Sequence, residues 1–333
     1  MSKGKHILVT GGAGFIGSAL VHGLNQSGEH DIIVSDYLGA DEKWKNLVPL
    51  KYADYLEADD LLALTRNDPG YFDRFETIFH LGACSATTEK DAGYLIRNNY
   101  EYTKALAALA IEKGIRFVYA SSAATYGDGS RGMDDTLEDL HSLRPLNMYG
   151  YSKHMFDCYA KRMGWLDRIV GLKYFNVFGP NEAHKGDMRS LVAKAYEQVR
   201  DSGEIALFKS HHPDYTDGNQ MRDFLYVKDA VAMTIHLAET PGANGLFNLG
   251  SGQANTWNTL AEAIFAALDK EPRIRYIEMP GQLKGKYQYY TCANTDKLRS
   301  TGYSDAGHSL QDAVADYVRN FLVPDRRLGD EHP

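Results

Sequence analysis

The sequence predicts an α/β protein, a doubly wound parallel sheet followed by a smaller C-terminal α+β lobe. Three observations carry this expectation. Short β-branched, apolar runs alternate with amphipathic helical stretches through the first half of the chain. A glycine cluster, Gly11-Gly12-Ala13-Gly14-Phe15-Ile16-Gly17, separates the first such run from the first helix. After Gly179-Pro180 the texture shifts to shorter, mixed elements.

Each element follows from its residues. Lys5–Thr10 (KHILVT) is β-branched and apolar, hence a strand. Phe15 to about Gln26 places Ile16, Leu20 and Leu24 on one helical face. Asp31–Asp36 (DIIVSD) is a second strand. After a polar crossover, Thr77–Leu81 (TIFHL) is a third. Tyr94 to about Lys113 is a long Ala- and Leu-rich helix, stopped at Gly114. Arg116–Ala120 (RFVYA) is a strand, Tyr149–Met163 a helix, and Arg168–Leu172 (RIVGL) a strand. Beyond 180, a helix over about Asp187 to Arg200 leads into Glu204–Phe208. The polar run Lys209–Gln220 reads as a loop. Phe224–Val227, the helical Ala230–Glu239, Leu246–Leu249, a helix near Thr256–Lys270 and Arg273–Ile277 follow. The expected division is 1–180 for a dinucleotide-binding domain and 181–333 mainly for a substrate lobe. Segments around 224–252 are expected to return to the first domain.

Composition narrows the function. A chain of 333 residues needs no metal or disulfide staple, because it buries roughly 75% of its extended-chain surface. The longest apolar stretch, around Ala105 to Ile111, is far short of the ~20 residues of a membrane span. The start runs directly into a strand-like segment, without a signal peptide's apolar region and cleavage site. Net charge is −8, from 36 basic and 44 acidic residues, which argues against nucleic acid as a partner. Cys84, Cys158 and Cys292 are too scattered for a disulfide framework or a metal site. The histidines show no ligand spacing. The expectation is a cytoplasmic protein with no metal and no membrane contact.

The glycine cluster sits where a dinucleotide fingerprint belongs, between strand and helix, and makes the sheet Rossmann-type. Gly11, Gly14 and Gly17 would let the backbone turn tightly against a pyrophosphate at the helix N-terminus. Asp36, 19 residues past Gly17, ends the next strand and suits an adenosine ribose. A carboxylate there favours NAD over NADP, while Lys43 could offset it. Tyr149 and Lys153 stand four apart and share a helical face. A neighbouring ammonium lowers a phenol's pKa and fits it for acid/base work. Ser121 and Ser122 end a strand, where ligands of parallel sheets sit. Tyr151 is the competing phenol, but it lies two residues from Lys153 and would face elsewhere.

These residues resemble the short-chain dehydrogenase/reductase superfamily, in its extended, nucleotide-sugar-modifying branch. Arg222-Asp223-Phe224-Leu225-Tyr226-Val227 and Asn248-Leu249-Gly250-Ser251-Gly252 extend the likeness across the chain. Within the branch, four stretches look like the epimerases of ADP-heptose: His80 to Glu89, Ala120 to Gly127, Tyr174 to Pro180 and His184-Lys185-Gly186. Lys284-Gly285-Lys286-Tyr287-Gln288 adds to them. The resemblance implies inversion at C6″ of ADP-glycero-manno-heptose through transient oxidation to a 6″-ketone, for the inner core of lipopolysaccharide. It implies Tyr149 as acid/base, Lys153 on the nicotinamide ribose and Ser122 at the reacting oxygen. One acid/base cannot easily serve both alcohol configurations, so a second proton donor on the opposite face is useful, and the resemblance supplies Lys185.

The resemblance also implies a cofactor site of Phe15, Ile16, Asp36, Tyr37, Lys43, Leu81, Gly82, Ala83, Cys84, Ser85, Asn98, Lys153, Val177 and Lys185. Ser122, Asn176, Asp187, Lys194, Phe208, Arg222 and Tyr287 would bind the small-molecule ADP-sugar. Its cofactor is NADP, with NAD left possible by Asp36, and its members are homo-oligomers. The chain departs from the pattern at Asp187, Leu81 and Ala58, and in a longer Lys209–Met221 stretch. Rival readings are a UDP-hexose 4-epimerase, a 4,6-dehydratase and a non-catalytic nucleotide sensor. Ala123-Ala124 disfavours the dehydratase, which has an Asp-Glu pair at that place.

Overall fold

The structure, a computed structural model, describes residues 6–281 and 287–330. Lys5, and Lys284, Gly285 and Lys286 of the later motif, lie outside the described residues. In chain order the strands are β1 (His6–Thr10), β2 (Ile32–Asp36), β3 (Asp54–Glu57), β4 (Phe75–His80), β5 (Arg116–Ser122), β6 (Val170–Tyr174), β7 (Asn176–Phe178), β8 (Ile205–Phe208), β9 (Met221–Tyr226), β10 (Gly245–Leu249), β11 (Ala254–Thr256) and β12 (Ile274–Ile277). The helices are α1 (Phe15–Gln26), α2 (Ala58–Asn67), α3 (Ala92–Leu95), α4 (Tyr102–Lys113), α5 (Met148–Arg162), α6 (Leu191–Ser202), α7 (Val227–Glu239), α8 (Trp257–Ala267), α9 (Asp296–Ser300) and α10 (Leu310–Tyr317).

Among the described residues, seven strands form one parallel sheet in the order β10-β6-β5-β4-β1-β2-β3. β2, with every residue buried, shows why these strands read as apolar runs: helices cover both faces of the sheet. Successive residues of β1 go to opposite faces: Ile7 and Val9 join one core and Leu8 the other. The first core continues through α7 into the C-terminal lobe, where Leu260, Phe265, Val314 and Phe321 complete it. The lobe adds a three-stranded sheet, β11-β9-β7, and a pair, β12-β8. Asp223 on β9 ties these parts together by accepting from the backbone N–H groups of Ser251, Gly252 and Ala293.

Several sequence expectations change. The polar crossover contains β3 and α2. β3 (DYLE) is a short edge strand with both ends exposed, so it carries no apolar signal. The long helix is interrupted by a π-turn at Ile96–Glu101, between α3 and α4. Gly114 stops it as expected, at φ +68°. The helix expected from Asp187 starts later, at Leu191, because Gly186 takes φ +53° and Arg189 is extended. Ser190 caps it. In the 224–252 region, β10 pairs with β6 in the large sheet, whereas β9 pairs with β7 and β11. Between them α7 lies against α1, where a Cβ on Gly23 would come within 2.5 Å of Val231.

Candidate active site

The strand order reverses between β1 and β4, which opens a crevice at the carboxyl ends of the strands. A cleft of about 610 Å³ lies there, lined by the ends of β2, β5 and β6, the loops after β1 and β4, and residues of α5 and the Ile96–Glu101 turn.

At one end the glycine loop approaches the β4 loop as closely as atoms allow. A Cβ on Gly11, at φ +69°, would stand 2.6 Å from the Gly82 nitrogen. One on Gly17 would stand 2.0 Å from the Gly11 carbonyl oxygen. α1 begins with no side-chain cap and no acid in its first turn, so its positive end is open to an anion. Asp36 Oδ2 accepts from Ala13 N (2.9 Å) and Gly14 N (3.1 Å). Its Oδ1 accepts from Tyr37 N (2.7 Å) and Lys43 Nζ (3.0 Å). This bare, tight cradle ending in an acid fits a dinucleotide.

His80, at the end of β4, is fully buried between Thr10 Oγ1 (2.7 Å) and Thr103 Oγ1 (2.9 Å). Thr10 Oγ1 also accepts from Gly82 N (3.2 Å), so the histidine anchors both glycine loops. Burial, helped by the Lys153 charge, depresses its pKa from 6.5 to about 3. Between those values the unfolded chain takes a proton that the folded chain refuses. Stability therefore falls as pH drops from 6.5 towards 3. His80→Gln should lose less stability across that window than the wild type, by about 3–5 kcal/mol, read from urea unfolding at its two ends. Equal losses would show that His80 does not stay neutral in the fold.

At the other end stand Tyr149, Lys153 and Ser122. Asn147 caps α5 by accepting from Gly150 N (2.8 Å). Gly150 brings the helix against the turn after β5, since a Cβ there would meet the Ala124 carbonyl at 2.7 Å. The Ser122 side chain neighbours the Tyr149 hydroxyl. Burial raises the Tyr149 pKa and the neighbouring Ser122 hydroxyl opposes the shift. The expected lowering by Lys153 is not the resting state. Its ammonium is turned to the Ala120 carbonyl (2.7 Å), and burial brings its own pKa down to about 8 against the pull of Asp157. Tyr151 is 47% exposed and does not line the cleft.

Lys185 lines the same cleft, on the Ala183–Met188 turn, with Nζ 5.1 Å from the Phe15 ring. Burial lowers its pKa and Glu182 opposes the shift.

Every expected cofactor residue lines the cleft, from Gly11 to Lys185, and so do Ser122 and Asn176. Asp187, Lys194, Phe208, Arg222 and Tyr287 do not; they belong to the C-terminal lobe beside it. Lys194 donates to the Asp187 carbonyl. Phe208 ends β8 and its carbonyl accepts from Gln220. Arg222 is buried between Tyr287 (5.0 Å) and Trp257 (5.7 Å), bonded to the carbonyls of Met221 and Gln288. No carboxylate pairs with it among the described residues, so its charge stays available for an anion. Tyr174 and His184, from two of the motif stretches, also line the cleft, as do Tyr94, Tyr102, Asp41 and Met188, which no motif marked. Two carried a signal: Tyr94 and Tyr102 stand four residues either side of Asn98. No cluster of three metal-ligating groups occurs among the described residues, and no described helix is long and apolar enough to cross a membrane.

Comparisons with known proteins agree with this geometry. The NAD dependent epimerase/dehydratase family matches residues 7–250. An ADP-L-glycero-D-manno-heptose-6-epimerase of Nitratidesulfovibrio vulgaris strain DP4 is 54% identical over 316 residues, covering 95% of this chain and 98% of that one. A protein of the same name from Pseudomonas aeruginosa is 41% identical over 330 residues, covering 94% and 98%. Among solved structures, the Helicobacter pylori ADP-L-glycero-D-manno-heptose-6-epimerase superposes with TM-score 0.79 at 26% identity, covering 96% of both chains. A UDP-N-acetylglucosamine 4-epimerase from Methanobrevibacter ruminantium, at TM-score 0.80 and 23% identity, shares the fold.

Proposed function

Because the chain belongs to the NAD dependent epimerase/dehydratase family, we propose that it inverts C6″ of ADP-glycero-manno-heptose, supplying heptose for the lipopolysaccharide inner core. One observation carries the reading: Tyr149, Ser122 and Lys153 share a cleft with Lys185, so two proton-handling groups serve one site. A nicotinamide cofactor, when bound, supplies the hydride acceptor and donor for a reaction with no net redox change.

The glycines of the α1 loop and the open helix end would hold its pyrophosphate, Asp36 and Lys43 its adenosine ribose, and Lys153 its nicotinamide ribose. NADP is the cofactor in this reading, with Lys43 the cation for a 2′-phosphate. Asp36 is the residue that leaves NAD as the alternative. Tyr149 takes the proton of one C6″ alcohol while Ser122 holds the oxygen that becomes the ketone. Lys185, kept by burial at a proton affinity below an ordinary lysine's, exchanges a proton with the epimer. Asn176, Asp187, Lys194, Phe208, Arg222 and Tyr287 bind the ADP-sugar, with Arg222 and Lys194 on the diphosphate. The same reading makes the protein a cytoplasmic homo-oligomer.

The test is incubation with ADP- and UDP-sugars, reading product stereochemistry by NMR. ADP-heptose should be converted at C6″ alone. Turnover of UDP-galactose without turnover of ADP-heptose would make the protein a hexose 4-epimerase instead.

A further inference from the structure

Asp157 and Lys173 are both fully buried, with Nζ 2.7 Å from Oδ2, and the proposed chemistry uses neither. Desolvating two such charges is expensive, and a well-packed neutral pair often serves stability as well or better. Their contacts suggest another purpose. Asp157 lies one turn beyond Lys153 on α5, and Lys173 lies on β6 beside β5. Asp157 Oδ2 also accepts from Ser121 Oγ (2.8 Å), and its Oδ1 accepts from Tyr119 (2.9 Å). Lys173 Nζ donates to Thr125 Oγ1 (2.6 Å), and Thr125 in turn donates to the Ser122 carbonyl (2.8 Å). With Lys153 on the Ala120 carbonyl, each of the last three residues of β5 is tethered to α5, directly or through Lys173.

We propose that the Asp157–Lys173 pair is a positioning device, which fixes the end of β5 against α5 so that Ser122 meets Tyr149 in productive register. The pair faces Tyr119, Ser121, Thr125 and the Tyr126 ring, 4.9 Å from Nζ, and none of them touches substrate in the proposed mechanism. Apart from the pull of Asp157 on the Lys153 ammonium, its effect reaches the reaction through the placement of Ser122 and Lys153. A registry role of this kind explains why charges persist where apolar side chains would pack.

The inference rests on the acid/base roles proposed for Tyr149 and Ser122, and is tested with the full-length protein. Asp157→Asn and Lys173→Met each leave one buried charge unpaired, and should lower both melting temperature and kcat. The double variant D157N/K173M removes both charges. It should regain most of the lost thermal stability and keep its cofactor affinity, with kcat still at least about tenfold down, the scale expected when reacting groups lose alignment. Thr125→Val is the second variant: it cuts the relay to Ser122 while the ion pair stays intact, and should lower kcat without changing cofactor affinity. A wild-type kcat in either of these variants overturns the proposal, as does a loss of cofactor affinity equal to the loss of kcat. The ratios are taken on ADP-heptose, or on whichever nucleotide sugar the wild type converts. Wild-type inactivity on ADP-heptose removes the substrate assignment, whereas the variant ratios alone decide the role of the pair.

Discussion

Replacing Tyr149 with phenylalanine should lower turnover about 10²–10⁴-fold, the usual contribution of a positioned acid or base, while cofactor affinity stays unchanged. The substitution keeps the ring that fills its place on α5 and removes only the hydroxyl beside Ser122. Burial holds that hydroxyl in its protonated form, so the resting protein presents an acid. Working as a base requires a cation nearby, and Lys153 is four residues on along the same helix. Its ammonium lies on the Ala120 carbonyl and would have to turn towards the phenol, a movement that ligand binding can drive by competing for that bond. Turnover by product NMR and cofactor affinity by fluorescence titration check the prediction. Near-wild-type turnover would remove Tyr149 from the chemistry and leave Lys185 as the sole acid/base of the cleft.

The second large effect is expected at Gly17. An alanine there would place its Cβ 2.0 Å from the Gly11 carbonyl oxygen and 2.9 Å from Gly12 Cα. These are backbone atoms, so no side-chain rotation relieves the clash and the loop itself must move. Overpacking of this kind typically costs about 1–3 kcal/mol, or roughly 5–150-fold in an equilibrium constant. Because Gly11 also abuts Gly82, the distortion spreads to both walls of the cradle proposed for the pyrophosphate. Gly17→Ala should therefore weaken the nicotinamide cofactor by that factor, measured calorimetrically, more than it lowers the melting temperature of the unliganded protein. Unchanged cofactor affinity would mean that the pyrophosphate does not lie on this loop.

Much of this was legible in the sequence, for identifiable reasons. The glycine loop, Asp36 and the Tyr149/Lys153 spacing are local patterns, and their geometry follows from strand and helix periods. The inner strands of the large sheet announce themselves by burial, as β2 does. What stayed hidden was non-local or irregular. β3 is polar because it is an exposed edge, and β7 and β11 are only three residues long. Nothing in the local pattern tells β9 to pair with β7 while β10 joins β6. The Lys153–Ala120 bond could not be read from spacing, since it depends on how closely α5 lies on β5. The Asp157–Lys173 pair joins residues 16 apart on different elements, and only the packed fold shows that both are dry.

The π-turn between α3 and α4 bears on how this chain tolerates change. In a regular helix, neighbours such as Asn98 and Asn99 diverge by about 100°. Here Asn98 lines the cleft. Asn99, fully buried, accepts from Cys84 N (2.8 Å) and donates to the Cys84 carbonyl (2.9 Å) and Ser152 Oγ (3.0 Å). The wider turn sets the rotational phase of everything before it against α4, much as a vernier offsets two scales. That phase is encoded by how many residues the turn holds rather than by which ones. Conservative exchanges on its solvent side leave the phase intact, but removing one residue would swing Tyr94 and Asn98 out of alignment with Tyr102 together, and so act as a multiple substitution.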